Sequence, residues 1–251
     1  MNDQCGKRGW GEPACRQAGM PDIKNNIEII REKISAACRK SGRSEKDVIL
    51  LAATKDVPAE YIEQAIEAGI THIGENRVQE AETKYERIKS KYPQVSWHMI
   101  GHLQTNKVKT ALQIFDMIES VDSLKLASEI SNKASNITVP VLIEVNVSGE
   151  GSKFGVPEPG AIDLIKSVSG IKNLSIKGLM TVPPAFDDAE RARSYFKKLK
   201  LLSGQIAASN IRNIEMKYLS MGMSDDFFVA VEEGSNIIRV GRGIFGIEHK
   251  H

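Results

Sequence analysis

Cysteine is scarce: Cys5, Cys15 and Cys38 are the three in 251 residues, too few and wrongly spaced for a disulfide framework or a structural zinc site. Cys5 and Cys15 read as an incidental pair rather than as metal ligands. No apolar run approaches the length of a membrane span, and no secretory signal opens the chain. An excess of one charge sign is missing as well, since 34 basic residues meet 32 acidic ones for a formal net charge of +2. No basic stripe with interleaved aromatics appears, which argues against nucleic acid. Nor does an internal repeat or a linker divide the chain. These absences argue against a secreted disulfide scaffold, a membrane-spanning protein and a nucleic-acid binder, and they predict a protein of the reducing cytoplasm.

What is present is a strong strand. Val48-Ile49-Leu50-Leu51-Ala52-Ala53-Thr54 carries no charge, ends abruptly at Lys55, and gives way to an amphipathic run at Pro58. A continuous apolar stretch bounded this way reads as a strand buried on both faces. Period-2 alternation places Lys55 on one face with Ala53 and Leu51, at the carboxyl end where α/β folds bind ligands. A solvated lysine opening a loop is the plain alternative.

Residues 1–20, with Gly6, Gly9, Gly11, Pro13 and Gly19 and little apolar periodicity, are expected to be a disordered tail; residues 21–251 are expected to form one domain. Ile23, Ile27, Ile30, Ile34, Ala37 and Cys38 then mark one stripe of a helix stopped by Gly42. Beyond the Lys55 strand, helices are predicted over Pro58–Ala68, Asn76–Lys91 and Thr105–Gln113. Asp122 caps another to about Ser135, and three more cover Glu158–Val168, Asp187–Ala208 and the stretch from Ser224-Asp225-Asp226 to Glu233. Between them lie strands at Thr71–Gly74, Val95–Ile100, Phe115–Ser120, Val139–Val147, Leu174–Met180, Met216–Met221 and Ile237–Gly241. Eight strands, each but the last followed by a helix, predict a parallel sheet closed into a (β/α)8 TIM-type barrel with an extra N-terminal helix. An open doubly wound sheet is the alternative. No second domain is expected.

In a barrel the strand ends assemble the active face. Here they supply Lys55, Glu75 with Asn76, His98, Ser120, Glu144 with Asn146, Thr181, Ser220 with Ser224, and Arg239 with Gly241. Two long cations aimed into one mouth need an anion or a carboxylate partner; pairing by Glu144 or Glu75 in a polar barrel layer is the competing explanation. The stretches Ser220-Met221-Gly222-Met223-Ser224 and Arg239-Val240-Gly241-Arg242-Gly243 follow the last two strands, where barrels bind phosphate on backbone N–H groups. A phosphate on one side and a strand-end lysine on the other suggest a phosphorylated carbonyl held as a Schiff base, and pyridoxal 5'-phosphate is the common cofactor of that kind. Arg239 suits the ring nitrogen, which a guanidinium would keep unprotonated. Lys153, in the Gly149–Ser152 loop region, is the rival lysine and reads better as part of a lid or a transfer step. A core histidine bonded to backbone competes with any ligand role for His98.

The residues now quoted carry a resemblance. Ala53-Thr54-Lys55, Gly74-Glu75-Asn76-Arg77-Val78-Gln79-Glu80, Trp97-His98-Met99-Ile100-Gly101-His102, Lys153-Phe154-Gly155, Leu219-Ser220-Met221-Gly222-Met223-Ser224 and Arg239-Val240-Gly241 occur in order between about Ile23 and Gly246. In this the sequence resembles the pyridoxal phosphate homeostasis proteins, related to the N-terminal barrel domain of alanine racemase. The resemblance implies that Lys55 carries the cofactor, that Asn76 and His98 line its pocket, and that Ser220, Ser224, Gly241 and Arg242 surround the phosphate with Arg239 at the ring nitrogen. It implies a carrier of vitamin B6, monomeric or weakly dimeric, with apo-enzymes that use the cofactor as its recipients, and no catalytic residue or metal. A racemase-like enzyme acting on amino acids is the alternative, but two-base chemistry needs a second group facing Lys55. None of Tyr61, Tyr85, Tyr92, Tyr195 and Tyr218 stands out as that base. A Schiff-base aldolase would use the same lysine and phosphate, and would leave Arg239 unexplained.

Overall fold

The computed structural model describes residues 21–151 and 153–247. The tail expected over residues 1–20, with Cys5 and Cys15, lies outside the described residues. Helix α1 (Ile23–Ser41) begins where Asp22 Oδ1 accepts from Asn25 N at 3.0 Å and ends at Gly42 in the left-handed region, and its buried stripe is the one the spacing predicts.

From there strand and helix alternate: β1 (Ile49–Ala53), α2 (Ala59–Glu67), β2 (His72–Glu75), α3 (Val78–Lys91), β3 (Ser96–Met99), α4 (Val108–Ile114), β4 (Met117–Val121) and α5 (Leu124–Lys133). The second half is β5 (Val139–Asn146), β6 (Val156–Pro157), α6 (Ala161–Ser169), β7 (Leu174–Met180), α7 (Arg193–Ala208), β8 (Ile214–Ser220), α8 (Phe227–Glu232), β9 (Ile237–Val240) and α9 (Arg242–Phe245). The sheet order is β4-β3-β2-β1-β9-β8-β7-β5-β6, and β4 also pairs with β5. That last pairing closes eight parallel strands into a barrel and leaves β6 outside as a short strand on β5. The barrel expectation holds, and the open sheet is ruled out by the closure.

Alternation along β1 sorts its residues as the sequence implies. Leu51 joins an inner cluster with Ile100, Met117, Leu142, Met180 and Ile237, while Ala52 packs outward against the helices. Four local expectations need correcting. A helix, α9, does follow the last strand. Ser123 rather than Asp122 caps α5, because its hydroxyl reaches Leu126 N at 3.4 Å. The long helix expected from Asp187 starts as a 3-10 turn at Ala189–Ala192, and β6 interrupts what reads as loop. Among the described residues no helix is long and apolar enough to cross a membrane, and no cluster of His, Cys, Asp or Glu could hold a metal.

One glycine is indispensable to closure. Gly178 sits at φ +152° where β7 shifts register against both neighbours, and a Cβ there would lie 1.9 Å from Tyr218 O in β8. Gly178→Ala should therefore destabilise the barrel by about 2–4 kcal/mol, through overpacking against a backbone atom that cannot rotate away. Urea unfolding of the two proteins measures this, and an unchanged midpoint would mean that β7 shifts freely.

Candidate functional site at the carboxyl ends of the strands

The strand ends surround a cavity of about 750 Å³, with Lys55, Asn76, His102, Glu144, Lys153 and Phe154 among its lining. Lys55 leaves the end of β1 in a turn completed by Asp56 at φ +56°, and its side chain is 29% exposed. Its amine lies 3.8 Å from Asp56 Oδ2. Asn76 follows β2 and approaches the β3 end so closely that a Cβ on Gly101 would meet Asn76 O at 2.4 Å.

One side of the mouth is covered by the segment after β5. Asn146 builds it: Nδ2 donates to Glu150 O at 2.8 Å, and Oδ1 accepts from Gly149 N at 3.0 Å and from Ser148 Oγ at 2.9 Å. The turn so formed presents Lys153, whose Nζ reaches Pro183 O at 3.4 Å, and Phe154, whose ring stacks on His102 at 4.3 Å between centroids. The Gly149–Ser152 region reads in the sequence as a flexible loop, and Asn146 is hydrogen-bonded to Gly149 and Glu150 within it.

The two loops proposed for phosphate meet on the other side. Ser224 Oγ accepts from Gly243 N at 3.1 Å, joining the loop after β8 to the start of α9. Gly241 lies against β1, where a Cβ would come 2.9 Å from Ala53 O. The loop after β9 therefore touches the strand that leads into Lys55. Arg242 is turned outward, its guanidinium paired with Asp225.

His98, Ser220 and Arg239 stand apart from both groups and are linked to one another in the barrel interior. His98 Nδ1 is 2.6 Å from Glu119 Oε1, and Ser220 Oγ donates to Glu119 Oε2 at 2.5 Å. Arg239 donates to Ser220 Oγ at 2.5 Å and to Thr181 O at 2.8 Å. His98 is thus a core histidine, bonded to a carboxylate rather than to backbone. Burial pushes the Glu119 carboxyl up, but the His98 hydrogen bond, the charges of His98 and Arg239 and the Ser220 hydroxyl together hold it below the usual carboxylate range. Burial draws Arg239 down, against the charges of Glu119, Glu144 and Asp226.

Comparison with known proteins follows the same outline. The family described as alanine racemase, N-terminal domain, matches residues 22–249. A pyridoxal phosphate homeostasis protein of Aquifex aeolicus is 43% identical over 222 residues, covering 88% of this chain and 96% of the relative. The chain belongs to the pyridoxal phosphate homeostasis protein family. Two solved structures agree in shape. An unknown protein of Bifidobacterium adolescentis aligns with TM-score 0.83 and 38% identity over 89% of this chain and 94% of its own. PipY of Synechococcus elongatus with PLP bound aligns with TM-score 0.78 and 30% identity over 90% and 100%.

The motifs that carry the resemblance include Lys55 and Arg239 but not Glu119, which sequence reasoning passed over. A strand expected to end at Ser120 draws attention to that residue, yet Ser120 Oγ is buried with no hydrogen-bond partner among the described residues. Period-2 counting from Met117, which faces inward, would have found Glu119. Glu144 is the other unplaced group. It is 6% exposed, lines the cavity, and its Oε2 has no hydrogen-bond partner among the described residues. Burial raises its carboxyl from 4.5 to about 7, with Asp122 pushing the same way and Arg239 opposing.

A carboxyl raised on folding binds its proton more tightly in the folded state. Its contribution to stability is complete at low pH and is lost as pH climbs from 4.5 through about 7. Glu144→Gln, which mimics the protonated form, should exceed the parent by less than about 1 kcal/mol at pH 5 and by about 3 kcal/mol at pH 8. Denaturant titrations at the two pH values test this, and equal stability at pH 8 would show that the carboxyl is already solvated or paired.

Proposed function

We propose that this chain holds pyridoxal 5'-phosphate as a Schiff base on Lys55 and acts in vitamin B6 homeostasis as a carrier rather than as an enzyme. The observation that carries the reading is a partly exposed amine at the cavity wall, on the strand against which Gly241 packs. The residues fit the group. An aldehyde requires a reachable amine, and a phosphate requires hydroxyl and backbone donors, which the Ser224 hydroxyl and the backbone at Gly241 would supply where the two loops join. In this assignment Asn76 borders the ring from the β2 end, and Arg239, with His98 and Ser220 behind it, sits beneath as a fixed charge. Arg242 contributes through the loop it begins, since its own guanidinium is engaged by Asp225. When bound, pyridoxal phosphate supplies an aldehyde for reversible imine exchange and a ring that draws electrons from the imine carbon.

The relatives' names support homeostasis over catalysis: the Aquifex aeolicus and Escherichia coli proteins are both called pyridoxal phosphate homeostasis proteins. Recipient apo-enzymes are the partners this role requires. A racemase-like activity has one observation in its favour, because Glu144 is a buried carboxyl in the same cavity as Lys55. Arg239 weighs against it, since a guanidinium at the ring nitrogen limits stabilisation of a carbanion.

Purified protein given pyridoxal phosphate should turn yellow, and borohydride followed by peptide mapping should place the label on Lys55; Lys55→Ala should stay colourless while remaining folded. Label on Lys153 would overturn the assignment. Pyridoxal without its phosphate should bind at least about 100-fold more weakly, because two or more charge-assisted hydrogen bonds of about 1.5–3 kcal/mol each are forfeited. Equal affinity would dismiss the two loops as a phosphate site. Alanine incubated with the loaded protein in heavy water should show no deuterium at its α-carbon; exchange that disappears in Lys55→Ala would restore the enzyme reading.

A further inference from the structure

The turn that carries Lys55 is held from outside the barrel by a buried charge cluster on α3. Lys84 is 8% exposed, although α3 is rich in charged residues. Its Nζ donates to Thr54 O at 2.8 Å, to Glu80 Oε1 at 2.6 Å and to Glu75 Oε1 at 3.1 Å. Three donors meet three acceptors, so the ammonium is fully satisfied where it lies. Glu80 Oε1 accepts in addition from Asp56 N at 2.5 Å, and Glu75 Oε1 from Thr54 Oγ1 at 2.6 Å.

These contacts converge on one residue that none of them touches. Thr54 O belongs to the peptide bond entering Lys55, and Asp56 N to the peptide bond leaving it. Lys84 grips the first and Glu80 the second, and the two side chains, one helical turn apart, are bonded to each other. Between them the chain turns through Asp56 at φ +56°, a conformation that costs an L-residue energy and persists when its surroundings impose it. The backbone of Lys55 is thereby fixed on both sides, while its side chain is left to the cavity. A lysine in a strand end needs no such support to be soluble. A lysine that must meet a carbonyl carbon at bonding distance and angle does.

We propose that Lys84 is a positioning residue: bridging Thr54 O, Glu75 and Glu80, it fixes the turn that aims the Lys55 amine at the carbonyl carbon of its aldehyde ligand. The proposal rests on Lys55 being the carrier lysine. The step it assists is condensation: the neutral amine adds to the aldehyde carbon, the carbonyl oxygen departs as water with two protons from the nitrogen, and a carbon–nitrogen double bond remains. Lys84 takes no part in that bond-making, and its effect is confined to geometry.

The test separates covalent capture from binding. Lys84→Met keeps the aliphatic stem and removes the ammonium. Because it leaves Glu75 and Glu80 without their cation, a double variant, Lys84→Met with Glu75→Gln, serves should the single one fail to fold. Each is compared with the parent in the rate of visible-band appearance after adding pyridoxal phosphate. Each is also compared in affinity for 4'-deoxypyridoxine 5'-phosphate, which has the ring and phosphate and no aldehyde. The band should appear at least about tenfold more slowly in the variants, since small displacements of a reacting group cost that much and more, while affinity for the aldehyde-free analogue stays within about twofold. A rate within twofold of the parent would overturn the proposal. So would parallel loss of rate and analogue affinity, which is the mark of general support for the fold. In the parent, borohydride label on a residue other than Lys55 would instead overturn the carrier-lysine reading, so the two failures are distinguishable.

Discussion

A guanidinium inside a closed barrel has to be neutralised without water, and the arrangement of the interior follows from that requirement. Arg239 is 4% exposed on β9. An ion so placed costs several kcal/mol unless it is paired and its donors are used. Glu119 on β4 supplies the charge, Ser220 on β8 relays the hydrogen bond between them, and Thr181 O takes a second donor. His98 on β3 then occupies the remaining Glu119 oxygen. Strands from opposite sides of the barrel are bound into one polar layer. Beneath it, Met117 precedes Glu119 and Ile237 precedes Arg239 on their inward faces, so an apolar layer underlies the charged one.

A second consequence concerns Glu144. Two carboxyl groups face one buried cation, and their environments push them in opposite directions. Glu119, hydrogen-bonded on both oxygens, stays ionised, whereas Glu144, buried with one oxygen unmatched by any hydrogen bond among the described residues, keeps its proton to about pH 7. Such divergence is the pattern by which one site comes to contain both a fixed charge and a proton store. Here the fixed charge lies inside the barrel and the proton store at the cavity wall, on the side that a ligand of Lys55 would reach.

How much of this is visible in the sequence depends on the range of the interaction concerned. The eight barrel strands, the α1 stripe and the inward face of β1 were legible because periodicity is local: Leu51 and Ala53 alternate with Leu50 and Ala52 whatever the rest of the chain does. The position of a side chain was legible where its place in the strand decides it, as for Lys55 at the cavity wall. It was illegible where a partner decides it. Ser220 reads as the start of a phosphate loop, yet its hydroxyl points to Glu119, 101 residues away in the chain. Lys84 looks like any cation of an i,i+4 pair on a charged helix, and only the docking of α3 beside β1 and β2 turns it inward. The placement of β6 depends likewise on Asn146 folding the segment after β5 back onto its own strand, a set of bonds with no periodic signature.

The bonding around the Lys55 amine differs from that of the outer wall, and the difference bears on the proposed carrier role. Everything around the Lys55 amine is fixed: its flanking peptides by Glu80 and Lys84, the strand beside it by the close approach of Gly241, the interior by the Arg239 layer. The outer wall is different in kind. Phe154 is 58% exposed and its ring stacks on His102, and the Lys153 side chain makes one long hydrogen bond, to Pro183 O, while its backbone is bonded to Glu150 O and Asn146 Nδ2. A catalyst that stabilises a carbanion has to exclude water while its intermediate lives, which favours a closed and well-packed cover. A carrier has the opposite need. Its imine must form reliably and must also be broken, by water or by another amine, when a recipient is at hand. Precise geometry at the lysine favours capture, and a wall whose Phe154 side chain is exposed leaves the mouth open to a competing nucleophile. In the proposed carrier these two needs would fall on separate parts of the chain, the α3-braced turn at Lys55 and the segment after β5.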